Sequence, residues 1–197
     1  MQQRRRTAYR IAVSGGLLLC CVLLGWLNRY ELPLLPLYWH TEDKIGLHDL
    51  NYDGREEKYE LKNLGFMVTE PGDAASDFAF STPPSWKVTD YLTGDIDRDG
   101  VEELLLLVWK QGSFGEHRPF WIEEDDPAYS QHLFIYKWEQ GRLQPIWMSS
   151  ALYPQIAAWE PVARPDGSIA LLLTAPEGEV GEEWVWGNWG IERAESD

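Results

Sequence analysis

Cysteine is almost missing from this sequence: there are two, Cys20 and Cys21, adjacent and confined to the N-terminal segment. The rest of the chain therefore has no internal disulfide and no thiolate metal site. Basic residues are also scarce, with 17 Lys and Arg against 32 Asp and Glu in 197 residues. Residues 1–28 hold Arg4, Arg5, Arg6 and Arg10 and no acid, which leaves 13 basic and all 32 acidic residues for the remainder. So negative a body repels phosphate backbones and excludes nucleic acid as a partner, whereas divalent cations and basic partners suit it. The four histidines (His40, His48, His117, His132) show no HExxH-type spacing. A G-x-S-x-G elbow, a phosphate-binding glycine loop and a dinucleotide fingerprint are all missing. Glycoside hydrolysis needs two carboxylates, but 32 acids make such pairs unavoidable and single out none. The chain is expected to be non-catalytic.

One long apolar run is present. Residues 11–27, IAVSGGLLLCCVLLGWL, contain no charge and follow RRRTAYR. Seventeen residues is the short end of the length that spans a bilayer, and arginines before the run favour a cytoplasmic N-terminus. A cleaved signal peptide is the competing reading. No small-x-small site follows the run, which continues Gly25-Trp26-Leu27-Asn28-Arg29, and this favours an uncleaved anchor. The expected organisation is a cytoplasmic basic tail (1–10), a transmembrane signal-anchor (11–27), a stalk with Pro33 and Pro36 (28–44) and an extracytoplasmic body (45–197). The protein is then a single-pass protein of the cell membrane.

The body shows no long 3.6-residue period. Short aromatic and branched runs alternate with Gly, Pro and Asp turns, which predicts an all-β fold. Strands are expected over 58–64, 77–80, 86–92, 103–109, 132–138, 144–148, 169–174 and 183–191. Several are continuously apolar, as strands covered on both faces are. Residues 111–131 form a long loop with Glu116, His117, Arg118 and the acids Glu123 to Asp126. Its two readings are a binding insertion and a solvated acidic loop. Residues 176–183 are expected to connect a hairpin. The cluster WVWGNW, Trp184 to Trp189, either fills the gap between sheets or stacks on sugar rings, and core packing is the commoner use of a strand Trp.

Charge is concentrated in GDIDRDGVEELLLLVW, residues 94–109. Asp95, Asp97 and Asp99 lie two apart, so a tight turn at Gly100 draws their carboxylates together. Converging oxygens repel one another unless a hard cation lies between them, and calcium takes about 6–8 such ligands. Glu103 offers a fourth carboxylate and Val101 a carbonyl. DLNYDGREE repeats the offsets with Asp49, Asn51, Asp53, Gly54 and Glu57, its glycine 46 residues before Gly100. ARPDGSIALLLTA keeps Asp166 and Gly167 but lacks the other acids, and is expected to be a structural copy without a metal site. The metal-free alternative is that Asp-Gly turns simply join strands. It is weightier for the first loop, where Arg55 and Lys58 weaken the field. An EF-hand would place a bidentate Glu at the twelfth position. Glu60 is there in the first loop, but Leu106 is there in the second.

DLNYDGREE and GDIDRDGVEE, with WKVTDYLTGDIDRDG before the second and YKWEQGRLQPIW after it, resemble the FG-GAP or VCBS repeats of integrin-like β-propellers. The resemblance covers roughly residues 45–175. It implies calcium loops between blade strands: Asp49, Asn51, Asp53 and Glu57 with the Arg55 carbonyl for one ion, and Asp95, Asp97, Asp99 and Glu103 with the Val101 carbonyl for another. Closed propellers have about 4–8 blades of four strands, so about 150 residues imply an incomplete propeller-like array of about three antiparallel blades. The expected function is a membrane-anchored binding or interaction module with structural calcium and a protein or glycan partner. The alternatives are a cell-wall or carbohydrate-active protein and a β subunit of a membrane complex.

Overall fold

The structure is a computed structural model that describes residues 41–70, 72, 78–112, 120–121, 123–176 and 181–194. The tail, the anchor and nearly all of the stalk lie outside the described residues, as do Glu116, His117 and Arg118. Among the described residues no helix is long and apolar enough to cross a membrane.

Period-2 patterning yields strands throughout. Twelve are described: β1 (Lys44–His48), β2 (Glu57–Lys62), β3 (Gly65–Thr69), β4 (Phe78–Ser81), β5 (Lys87–Gly94), β6 (Glu103–Gln111), β7 (Tyr129–Glu139), β8 (Arg142–Met148), β9 (Ala158–Ala163), β10 (Ile169–Thr174), β11 (Glu182–Gly187) and β12 (Gly190–Arg193). They form three four-stranded antiparallel sheets, β1-β2-β3-β4, β5-β6-β7-β8 and β9-β10-β11-β12, each joined in sequence order. The first connection of each sheet (β1–β2, β5–β6, β9–β10) contains one of the three Asp-Gly turns.

The unbroken run Leu104 to Trp109 follows from the position of β6 in the middle sheet. Alternate side chains of a strand face opposite ways. Leu104, Leu106 and Val108 join Tyr59, Phe66, Val68 and Tyr91 in one core between the first and middle sheets. Leu105 and Leu107 join Ile135, Trp159, Leu171 and Ile191 in a second core between the middle and third sheets. β7 divides in the same way, with Phe134 and Tyr136 in the first core and Leu133 and Ile135 in the second. Each fully buried Leu or Ile contributes about 1.5–3 kcal/mol relative to exposure, so β6 and β7 anchor both interfaces.

A single carboxylate links the three sheets. β5 shifts register between Val88 and Asp90, and Asp90 accepts from Lys44 Nζ in β1 (3.0 Å) and from Trp159 Nε1 in β9 (2.7 Å).

One expected strand is corrected and three unexpected strands, β1, β3 and β9, are added. Residues 183–191 are not one strand but two, because the chain turns back between Gly187 and Gly190, where Gly190 has φ 121°. β1 and β3 escaped notice because each is five residues long and contains a glycine. β9 contains Pro161, which argues against a central strand; it is the edge strand of its sheet, where a missing N–H is tolerated.

Candidate metal centre

The first two Asp-Gly loops have the same backbone path. Counting from the first aspartate, the fourth residue has positive φ in both, Tyr52 at 57° and Arg98 at 66°, and the sixth is a glycine at 84° and 88°. A non-glycine residue in that region costs about 1–2 kcal/mol, so its recurrence marks one shared conformation. The second residue, Leu50 or Ile96, is buried and fixes the loop to a core.

Side chains repeat as well. Gly54 N–H donates to Asp49 Oδ2 (3.0 Å), and Gly100 N–H to Asp95 Oδ2 (3.1 Å). Asp53 N–H donates to Asn51 Oδ1 (2.9 Å), and Asp99 N–H to Asp97 Oδ1 (3.1 Å). The seventh-position amides of Arg55 and Val101 donate to Asp53 and Asp99 (2.9 and 3.0 Å). The ninth-position glutamates reach back to the second-position amides, Leu50 to Glu57 Oε2 and Ile96 to Glu103 Oε2, both at 2.9 Å. Two acidic groups could therefore hold a metal ion: Asp49 with Asp53 and Glu57, and Asp95 with Asp97 and Asp99. Within each, one carboxylate oxygen from every residue lies within 4.8 Å of the others.

The loops differ in what faces them. Lys137 of β7 points into the second. Its Nζ lies 2.8 Å from Asp97 Oδ2, 2.6 Å from Asp99 Oδ2 and 2.8 Å from Glu103 Oε1, with the Lys137 side chain 9% exposed and that of Glu103 0%. Burial works against the ammonium charge, but the three carboxylates outweigh it and hold Lys137 above the usual lysine range. The ammonium holds Asp99 below the usual carboxylate range. Burial pushes Glu103 up, with Lys137 opposing. Asp95 Oδ1 alone remains buried without a hydrogen-bond partner in this loop's aspartates.

Among the described residues no buried cation enters the first loop. Arg55 Nη2 pairs with Asp53 Oδ2 at 2.9 Å and is largely exposed. Glu57 is 1% exposed, and its Oε1 has no hydrogen-bond partner among the described residues. Burial raises the Glu57 carboxyl, the Leu50 amide opposes, and Asp49 and Asp53 add to the rise. Sequence spacing ranked the second loop as the better metal site. The structure gives its carboxylates an internal counter-charge instead, and leaves the first loop with the unbalanced acid.

The third turn is different in kind. The residue at its fourth position is Pro165, whose ring fixes φ near −65°, so the shared path is closed to it. Gly167 N–H donates to Arg164 O (2.9 Å) in a tight hairpin, and Asp166 accepts from Ser168 N–H (3.0 Å).

Of the other expected features, Glu60 pairs with Lys58 at 2.6 Å on β2 and Leu106 lies in the first core, so strands flank both loops where an EF-hand needs helices. Trp184 and Trp186 pack against the second core, whereas Trp189 is 93% exposed in the β11–β12 turn. The base of the 111–131 loop is closed by Gly112 N–H to Asp126 O (2.9 Å). Spacing alone missed Lys137. Its signal was a lone cation inside the apolar run HLFIYKW.

Comparison of the chain with known protein families, with curated proteins and with solved structures finds no match.

Proposed function

We propose that this chain is a membrane-anchored, extracytoplasmic binding module of the FG-GAP or VCBS type, stabilised by calcium and without catalytic activity. The observation that supports this best is the pair of acidic loops with one backbone path, at the same connection of two successive four-stranded sheets. Repetition of a strained conformation at equivalent places is what a repeat unit produces and what incidental Asp-Gly turns do not. Three sheets packed face to face fit an incomplete propeller of three blades. Calcium suits the oxygen-only ligand set. The arginines ahead of the apolar run 11–27 support the anchor and an exported body.

The test is thermal unfolding of the full-length chain in detergent, with millimolar calcium, with magnesium and with chelator. Extracellular modules bind calcium with Kd of about 10⁻⁴–10⁻³ M, so linkage at millimolar calcium amounts to roughly 0.4–1.4 kcal/mol per site. A calcium-specific rise in Tm is expected. Equal Tm in all three conditions would remove calcium from the proposal.

A glycan partner is the second reading. A cleft of about 330 Å³ beside the third sheet is lined by Trp147, Tyr153, Trp184 and Gln155, with Glu182 and Arg193 among its polar groups. That volume lies within the range of small-ligand sites, and aromatic faces suit the apolar side of a sugar ring. Binding on a glycan array that Trp184→Ala abolishes would favour this reading over a protein partner.

A further inference from the structure

The three loops occupy equivalent places, so the residue that faces each can be compared through strand register. In the middle sheet Leu104 pairs with Tyr136, and one further step sets Glu103 opposite Lys137. In the first sheet Lys58 pairs with Thr69, and the same step sets Glu57 opposite Glu70. In the third sheet Leu171 pairs with Trp184, and the step sets Ala170 opposite Val185. The ninth loop position and its cross-strand neighbour are thus acid and acid, acid and lysine, and apolar and apolar.

We propose that Lys137 is a tethered cation that fills the second acidic loop in place of a metal ion, so that the chain takes a single divalent cation, in the 49–57 loop. The inference rests on the calcium reading of the first loop and adds which site is used and why the other is not. Lys137 Nζ is within 2.8 Å of oxygens from three of the four second-loop carboxylates. A metal bound to Asp95, Asp97 and Asp99 would have to take two of those carboxylates from the ammonium and then lie beside it. Like charges that close repel one another, most strongly on the buried side of the loop, where Lys137 and Glu103 are 9% and 0% exposed. In the first loop the neighbouring cation, Arg55, pairs with Asp53 alone and is 65% exposed. The loop's cross-strand position carries the exposed acid Glu70 in place of a lysine, and the buried Glu57 Oε1 lacks the partner that a buried carboxylate oxygen requires. Asp49, Asp53 and Glu57 offer oxygens within 4.8 Å of one another, which suits a hard, oxygen-seeking divalent ion.

The experiment is calcium stoichiometry on the full-length chain by titration calorimetry, with terbium luminescence as a second readout. One ion is expected for the native chain, none for Glu57→Gln and two for Lys137→Met. Asp95→Asn, which leaves Lys137 in place, is expected to keep the single ion, and this variant decides the matter if Lys137→Met does not fold. Two ions in the native chain would overturn the tethered cation while leaving the calcium reading intact. Loss of the ion in Asp95→Asn with retention in Glu57→Gln would reverse the assignment of site and overturn the inference. No ion in the native chain would overturn both.

Discussion

The first and second acidic loops share a backbone and part company over one cross-strand residue. In one, three carboxylates of the 95–103 segment, those of Asp97, Asp99 and Glu103, meet the ammonium of Lys137. In the other, three carboxylates and Asn51 meet only the exposed guanidinium of Arg55, at Asp53, and the β2–β3 register carries Glu70 to the position of the lysine. A motif written as a spacing of acids describes both equally. What decides the chemistry is the charge brought up by the next strand but one, which only the sheet register reveals.

The largest expected effect is on the second loop. Lys137→Met leaves Glu103 buried and uncompensated, and removing one partner of a buried pair costs about 3–5 kcal/mol. Denaturant unfolding in chelator should show that loss, with part of it recovered in calcium. A loss below about 1 kcal/mol would mean that the ammonium is incidental and the two loops are alike. Next, Asp97→Ala should cost about 1.5–3 kcal/mol, as a hydrogen bond to a charged group does, and Asn51→Ala about 1 kcal/mol. The reason is the contact between Asp97 and Lys137, so the ranking should hold in calcium and in chelator alike. A ranking seen only in calcium would restore the second loop as a metal site.

Glu57→Gln sharpens the comparison from the other side. It removes a buried charge, so in chelator it should stabilise the chain by about 1 kcal/mol, and it should abolish the calcium response. Its pH dependence has a definite sign. The native state raises the Glu57 carboxyl, so in chelator the cost of ionising it is absent below the unfolded value of about 4.3 and complete above the folded one. The stability gap between Glu57→Gln and the native chain should therefore widen as pH rises from about 4 to 7. The smallest effect is that of Glu70→Lys, which places an exposed cation opposite Glu57. Exposed pairs contribute about 0–1 kcal/mol, so the expected result is a modest rise in Tm in chelator together with a weaker calcium response. An unchanged calcium response would show that the cross-strand position does not govern the loop.

Much of the fold was legible in the sequence because its strongest signals are local. LLLLVW announces a strand covered on both faces, and β6 is such a strand. Gly100 and Gly54 mark turns that need positive φ, and both have it. The weaker strands were hidden by their composition: Gly46 interrupts β1, and Pro161 suits β9 only because that strand is at an edge. The Glu183–Ile191 run failed through its own regularity, since aromatic and branched residues continue on both sides of a turn made by Asn188 and Trp189. In the candidate centre, ligand spacing was legible and the identity of the counter-charge was not. Lys137 is 34 residues beyond Glu103 in the sequence. No local pattern joins them, only the pairing of β6 with β7.

The positive-φ residue at the fourth loop position has one more consequence. Tyr52, at that position in the first loop, accepts from Glu102 N–H of the second at 3.0 Å. Arg98, at that position in the second loop, meets Asp166 of the third at 3.3 Å. Each loop thus holds the one that follows, through a side chain that its own strained backbone turns outward. A unit built this way carries its fastener with it, so tandem duplication would supply a new sheet and the joint to its neighbour in a single event. Pro165, at the fourth position of the third turn, has neither the required φ nor a polar side chain, and the relay of fasteners stops there.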